Sequence, residues 1–156
     1  MIEICLKYVD DNLFQINLET HKTKDIDDNH INGSLTVIWR DWDKIINNDL
    51  KMIYVSSVNP TEKKGPHIHK KRNSYFTCVH GKVVFIIKKP DGKYVEIISS
   101  DESPVMVFVP KNLPSAHINL SSNISRVLTL ADVSWKPDDD EMENVDFLDY
   151  DWKKWN

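Results

Sequence analysis

Between Gly33 and Val133 the chain breaks into about eight short segments rich in β-branched and aromatic residues, each closed by turn chemistry. This is the feature that most restricts the fold. "GSLTVIW" (33–39), "KMIYVSSV" (51–58), "SYFTCV" (74–79), "KVVFIIKK" (82–89), "KYVEIIS" (93–99), "VMVFVP" (105–110), "AHINL" (116–120) and "SRVLTLADV" (125–133) suit pleated strands. Lys89-Pro90-Asp91-Gly92 orders its residues as a β-turn does, joining two of them into a hairpin. Helical periodicity is almost absent; a short helix is expected near 40–46. Closely spaced strands of this kind predict an all-β antiparallel sandwich or barrel.

At 156 residues one domain covers the chain, with its core at about 33–135. The polar stretch 21–33 reads as a loop. The acidic tail 136–156 carries Phe147, Tyr150, Trp152 and Trp155, too many aromatics for a free segment, and should pack back on the core. The nearly continuous apolar strand "VVFII" calls for a second layer or a partner subunit.

A net charge of −4 gives no nucleic-acid footprint. No run of about 18 apolar residues provides a membrane span. Acidic residues come too early in "MIEICLKYVDDN" for a signal peptide. Cys5 and Cys78 are isolated and read as two reduced thiols of a cytoplasmic protein.

Function concentrates in "KKGPHIHKKRNSYFTCVHG" (63–81). Residues two apart share a strand face, so His67 and His69 project together. Ser115, His117 and Asn119 repeat that spacing in a distant segment. Two extended stretches thus deliver polar groups at the same parity, as a barrel with a site inside it would require. The pair can bind a metal, move a proton, or fill a core with satisfied imidazoles.

His67-Ile68-His69 with Gly81 resembles the first cupin motif, and "PKNLPSAHIN" (110–119) resembles the second. Metal-binding cupins carry a glutamate at the position of Ser74 and a histidine at that of Ser115. Serine is the poorer ligand in both places. From Gly33 to about Trp152 the chain is similar to RmlC-like cupins that act on nucleotide-linked keto sugars, the dTDP-4-dehydrorhamnose 3,5-epimerases and dTDP-4-keto-6-deoxyglucose 3,4-ketoisomerases. The resemblance implies a jelly-roll barrel with few short helices. It also implies a homodimer and a metal-independent, cofactor-free isomerase or epimerase whose partner is the nucleotide-linked keto sugar.

Within that resemblance His67 takes the base position. Histidine suits the role because its ordinary pKa, about 6.5, lies near cellular pH. His69 would hold the substrate or stabilise the enolate, and His117 or Tyr75 would return the proton. Lys64 and Arg72 are candidates for the diphosphate, Ser115 and Asn119 for binding the substrate, and Tyr54 or Trp39 for stacking on the base ring. Asp146, Asp149 or Asp151 would orient a histidine. The strand "ISRVLTL" lacks the tyrosine acid of the 3,5-epimerases. The alternatives are a metal cupin using His67, His69 and His117, and a sugar-binding module without catalysis.

Overall fold

The computed structural model describes residues 6–10, 13–42, 46 and 49–156, with side chains of residues 6–14 outside the description. Cys5 and most of the expected 40–46 helix fall outside these residues.

Thirteen strands are described: β1 Leu6–Asp10, β2 Leu13–Asn17, β3 Thr20–Lys24, β4 Ile31–Thr36, β5 Met52–Val58, β6 Lys63–His69 and β7 Ser74–His80, then β8 Lys82–Lys88, β9 Tyr94–Ser100, β10 Val105–Val109, β11 Ser115–Asn119, β12 Ser125–Ala131 and β13 Met142–Asn144. A 3-10 turn spans Trp152–Trp155. One sheet runs β1-β2-β10-β7-β12-β5, a second runs β13-β6-β11-β8-β9, and β3-β4 form a separate ribbon. Every pairing is antiparallel. This is the all-β antiparallel sandwich that the strand spacing predicts, in the jelly-roll arrangement that the resemblance implies. Among the described residues no helix is long and apolar enough to cross a membrane.

Three elements depart from the sequence reading. The 21–33 stretch is a hairpin rather than a loop: β3 and β4 pair from Thr20↔Thr36 to Lys24↔Ile31. Its strands are exposed on both faces, so no apolar alternation marked them. The strands β1 and β2 join the six-stranded sheet through β10, ahead of the expected 33–135 core. In the tail, β13 adds an edge strand beside β6.

Parity then decides what each strand faces. Val83, Phe85 and Ile87 of β8 point between the sheets, where they meet Phe76, Cys78, Val107 and Val127. The alternate residues Val84 and Ile86, with Ala116 and Ile118, form the outer face of the five-stranded sheet. Phe147 and Tyr150 from the tail bury themselves there. The second layer demanded by "VVFII" is therefore the chain's own C-terminal segment. Tyr150 is tied down by a short bond from its hydroxyl to Glu96 and by Trp155 Nε1, which donates to it at 2.7 Å. Burying a phenyl ring of this size contributes about 1.5–3 kcal/mol. Cys78 is fully buried as a free thiol whose pKa burial pushes up to about 11, so it stays protonated.

Candidate active site

A cavity of about 180 Å³ opens between the sheets, lined by Tyr54, Ser56, Lys64, His67, His69, Arg72, Phe76, Ser115, His117 and Met142. Local chain geometry accounts for the gathering. His67 and His69 share a face of β6, and Ser115 pairs with His67 across β11. Regular alternation would send Lys64 to the opposite face from His67, three residues away. An irregularity between the Ser115 and His117 pairs resets it. Gly65 supplies that break with φ +82°, and a Cβ on it would stand 2.8 Å from the Ser115 carbonyl oxygen. Only glycine tolerates both conditions. Lys64 and His67 consequently line one cavity.

The tail completes the site. Strand β13 lays Asn144 opposite His67 and Met142 opposite His69. Asn144 Oδ1 lies 2.9 Å from His67 Nδ1. An amide oxygen only accepts, so Nδ1 carries the hydrogen, and in the neutral imidazole the lone pair lies on Nε2.

His69 is engaged at both nitrogens. Its Nδ1 donates to Glu141 Oε2 at 2.9 Å, and its Nε2 accepts from Arg72 Nη2 at 2.9 Å. Burial, then the Arg72 charge, holds its pKa below the ordinary histidine value despite the opposing pull of Glu141. Glu141 is 3% exposed and Arg72 7%. The carboxylate also accepts from the Arg72 backbone N–H at 3.3 Å, and Oε2 stands 3.9 Å from Arg72 Nε. Arg72 reaches on to Tyr54, donating to its hydroxyl at 3.0 Å. Glu141, His69, Arg72 and Tyr54 form one continuous network along the cavity wall.

His117 has a different character. It packs against Phe85, with ring centroids 5.5 Å apart, and its Nε2 is buried without a hydrogen-bond partner. Desolvation, with smaller contributions from Lys64 and His67, pushes its pKa down to about 4. It is a neutral imidazole at physiological pH.

Among the sequence candidates, the structure brings Tyr54, Lys64, His67, His69, Arg72, Ser115 and His117 together. It does not bring in Tyr75, Asn119 or Trp39. Tyr75 lies on the outer face of the six-stranded sheet with Ile16, Met106 and Leu130, stacked on Phe108 at 4.8 Å. The bend at 70–73 between β6 and β7 resets parity, so Tyr75 does not share the face of His67 and His69. Asn119 is buried as a loop staple, donating to the Val58 and Asn123 carbonyls and accepting from Ser121 N and Ser125 Oγ. Trp39 is 40% exposed and lies outside the cavity. Arg72, a candidate for the diphosphate, is buried in the cavity wall. Asp149 binds Lys88 and Tyr94, and Asp151 caps the 3-10 turn; the histidines are oriented by Glu141 and Asn144 instead. The acid-rich run "DDDEMEN" was the available signal, but nothing local in it says which member reaches a histidine.

The three imidazoles do not assemble a metal site. Among the described residues, the one group of three His, Cys, Asp or Glu donors within 4.8 Å of one another is Asp25, Asp28 and His30, at the β3–β4 turn. Both nitrogens of His69 are already committed. The cavity's histidines therefore do not present a ready set of ligands among the described residues.

The fold is that of an RmlC-like cupin. Residues 16–152 match the family described as FdtA: WxcM-like, C-terminal, and the chain belongs to that family. Solved structures agree in fold. The sugar 3,4-ketoisomerase QdtA from Thermoanaerobacterium thermosaccharolyticum, in complex with TDP, is similar at 23% identity and TM-score 0.66, over 92% of this chain and 91% of that one. The dTDP-6-deoxy-D-glucose-3,5-epimerase RmlC from Legionella pneumophila, in complex with dTDP-4-keto-L-rhamnose, is similar at 14% identity and TM-score 0.78, over 94% and 80%. NovW from Streptomyces spheroides, a 4-keto-6-deoxy sugar epimerase, gives 15% identity and TM-score 0.73, over 92% and 74%. No curated protein sequence matches.

Proposed function

We propose that the protein is an isomerase or epimerase of a nucleoside-diphosphate 4-keto-6-deoxy sugar, and that His67 is the base removing the hydrogen next to the ketone. The observation that carries this is the asymmetry of the two histidines. His69 has both nitrogens engaged, whereas His67 has Nδ1 pinned by Asn144 and an uncommitted Nε2 beside the cavity. An imidazole held in one tautomer with a free lone pair is ready to accept a proton. The step breaks a C–H bond; its electron pair forms the enolate and the ketone oxygen gains charge. The buried Arg72 guanidinium supports stabilisation of that charge, since a preorganised cation in a site shielded from water is worth more than one in solution. Exposed Lys64 is the cation left for the diphosphate.

The similar solved structures support the substrate class. They include proteins described with TDP and with dTDP-4-keto-L-rhamnose. A homodimer in the cytoplasm accompanies this reading; exposed Ile53 and Val55 on the edge strand β5 support it, and a monomer in sedimentation at micromolar concentration would count against the dimer.

The test is solvent exchange. A panel of nucleotide-linked 4-keto sugars in heavy water, followed by NMR, should show deuterium entering one carbon next to the ketone. His67→Asn should slow that uptake by about 10²–10⁴-fold while nucleotide binding persists. A His67→Asn protein exchanging at the parent rate would reject the assignment.

A further inference from the structure

Strand β13 carries no signal of its own for where it should lie. Its three residues, Met142, Glu143 and Asn144, are all exposed, so neither face of the strand has a buried apolar row. A strand of that kind slips easily along its neighbour. The ladder to β6 is continued by Lys70 N, which donates to the Glu141 carbonyl at 2.8 Å, and by Val145 N, which donates to the Pro66 carbonyl at 3.1 Å. Such backbone bonds are blind to side chains and do not choose between registers.

Register nevertheless decides what His67 meets. Residues directly opposite one another share a face, and the observed pairing puts the Asn144 amide beside the His67 ring. A slip of one residue would set Glu143 or Val145 opposite His67, and a slip of two would set Met142 or Asp146 there. None of the four offers an amide oxygen. An apolar partner would leave Nδ1–H unpaired. A carboxylate would favour the charged imidazolium, which has no lone pair left to take a proton.

Two buried side chains bracket the strand. Glu141, 3% exposed, precedes it in the cavity wall. Phe147, equally buried, follows it three residues after Asn144 and lies outside the cavity, in the cluster with Val84, Ile86 and Ile118 on the outer face of the five-stranded sheet. Its ring meets Tyr94 of β9 edge-on at 5.1 Å and stacks on Trp152 at 6.0 Å. Trp152 in turn lies under Lys63 Nζ, 3.8 Å from the ring centroid, and Lys63 belongs to β6. The phenyl ring is thus tied both to the sheet and to the strand that carries the histidines. A slip of one residue, about 3.3 Å along the chain, would pull it from that site.

We propose that Phe147 is a positioning residue for proton transfer: its burial on the outer face of the sheet fixes the register of β13, so that His67 receives the amide of Asn144 and not a flanking carboxylate. The catalytic consequence rests on the reading of His67 as the base; the register itself does not.

Nitrogen-15 NMR of the histidine rings tests this, with the His67 signals identified by their loss in His67→Asn. At about pH 8 the parent should show His67 as a single neutral tautomer with its hydrogen on Nδ1. Phe147→Ala removes the anchor, and Phe147→Leu keeps more of its volume should the first variant fail to fold. In either, the His67 signals should move to a mixture of tautomers or to imidazolium. Deuterium uptake by a 4-keto sugar nucleotide should fall about 10–10²-fold, the scale of a displaced catalytic group. Ile97→Ala empties apolar volume between the sheets instead and should leave the His67 signals in place. Unmoved signals in folded Phe147→Leu would overturn the proposal, as would equal movement in Ile97→Ala or a parent spectrum lacking the Nδ1–H tautomer. Failure of the base reading shows separately, as His67→Asn exchanging at the parent rate while the NMR result stands.

Discussion

On the side of β8, β9 and β10, the space between the sheets is filled by Phe85, Val83, Ile87, Ile97, Val105 and Val107. On the side of β5, β6 and β11, the same two sheets leave about 180 Å³ open, lined by imidazoles, a guanidinium and a phenol. Strand β11 is shared by both regimes: its Ser115 pairs with Ile87 and its His117 with Phe85. The backbone scaffold is common, and only the residue type at inward positions differs. One half gains stability from apolar area and dispersion contacts. The other half spends some of it, keeping a buried carboxylate–guanidinium pair and an imidazole nitrogen without a partner.

If that division is right, perturbing each half should show in different measurements. The largest effect is expected at Glu141. Replacing it by Ala leaves the buried Arg72 charge without its carboxylate, which should cost about 3–5 kcal/mol in urea unfolding and also lower turnover. A loss of stability under 1 kcal/mol would mean that water reaches Arg72 freely. Next comes the apolar half. Ile97→Ala should cost about 2–5 kcal/mol with turnover per folded molecule unchanged. A large fall in turnover would show that the two halves are coupled.

The third effect depends on pH. His117 has a folded pKa of about 4, below its ordinary 6.5, so between those values the unfolded chain binds the extra proton. Its contribution is complete above pH 6.5 and is lost as pH falls toward 4. At about 1.4 kcal/mol per pKa unit the loss is on the order of 3 kcal/mol by pH 4. His117→Leu should flatten this slope by about one proton and be neutral or stabilising at pH 7, as expected when an unpartnered polar atom is removed, while slowing the reaction. An unchanged slope would place the acid sensitivity elsewhere, His69 being the next group. The smallest effect belongs to the surface: Asp149→Asn, which breaks the exposed Lys88 pair, should leave the urea-unfolding midpoint almost unchanged, and the more so in high salt.

How far the chain was readable follows the reach of each signal. Alternation within one strand is local, so the face shared by His67 and His69 could be read directly, as could the strands from Met52 to Ala131. Strand β3 could not, because its residues meet water on both faces and no apolar period is written into it, and of β4 only 33–36 was read, within the segment 33–39. Tyr75 lies away from the cavity for a related reason: a turn separates it from His69, and parity does not survive a turn. The pairing of Glu141 with His69 and of Asn144 with His67 spans 72 and 77 residues. No spacing rule acts over such a distance.

The amino-acid order alone settled that this is a β-sheet protein carrying two imidazoles on one strand face, because side-chain direction along an extended chain has period two. Which of the two keeps a free nitrogen, and that a phenol lines the same cavity, depended on the edge strand β13 and on sheet-against-sheet packing. Those are choices between distant segments, made by hydrogen bonding and burial across the folded chain.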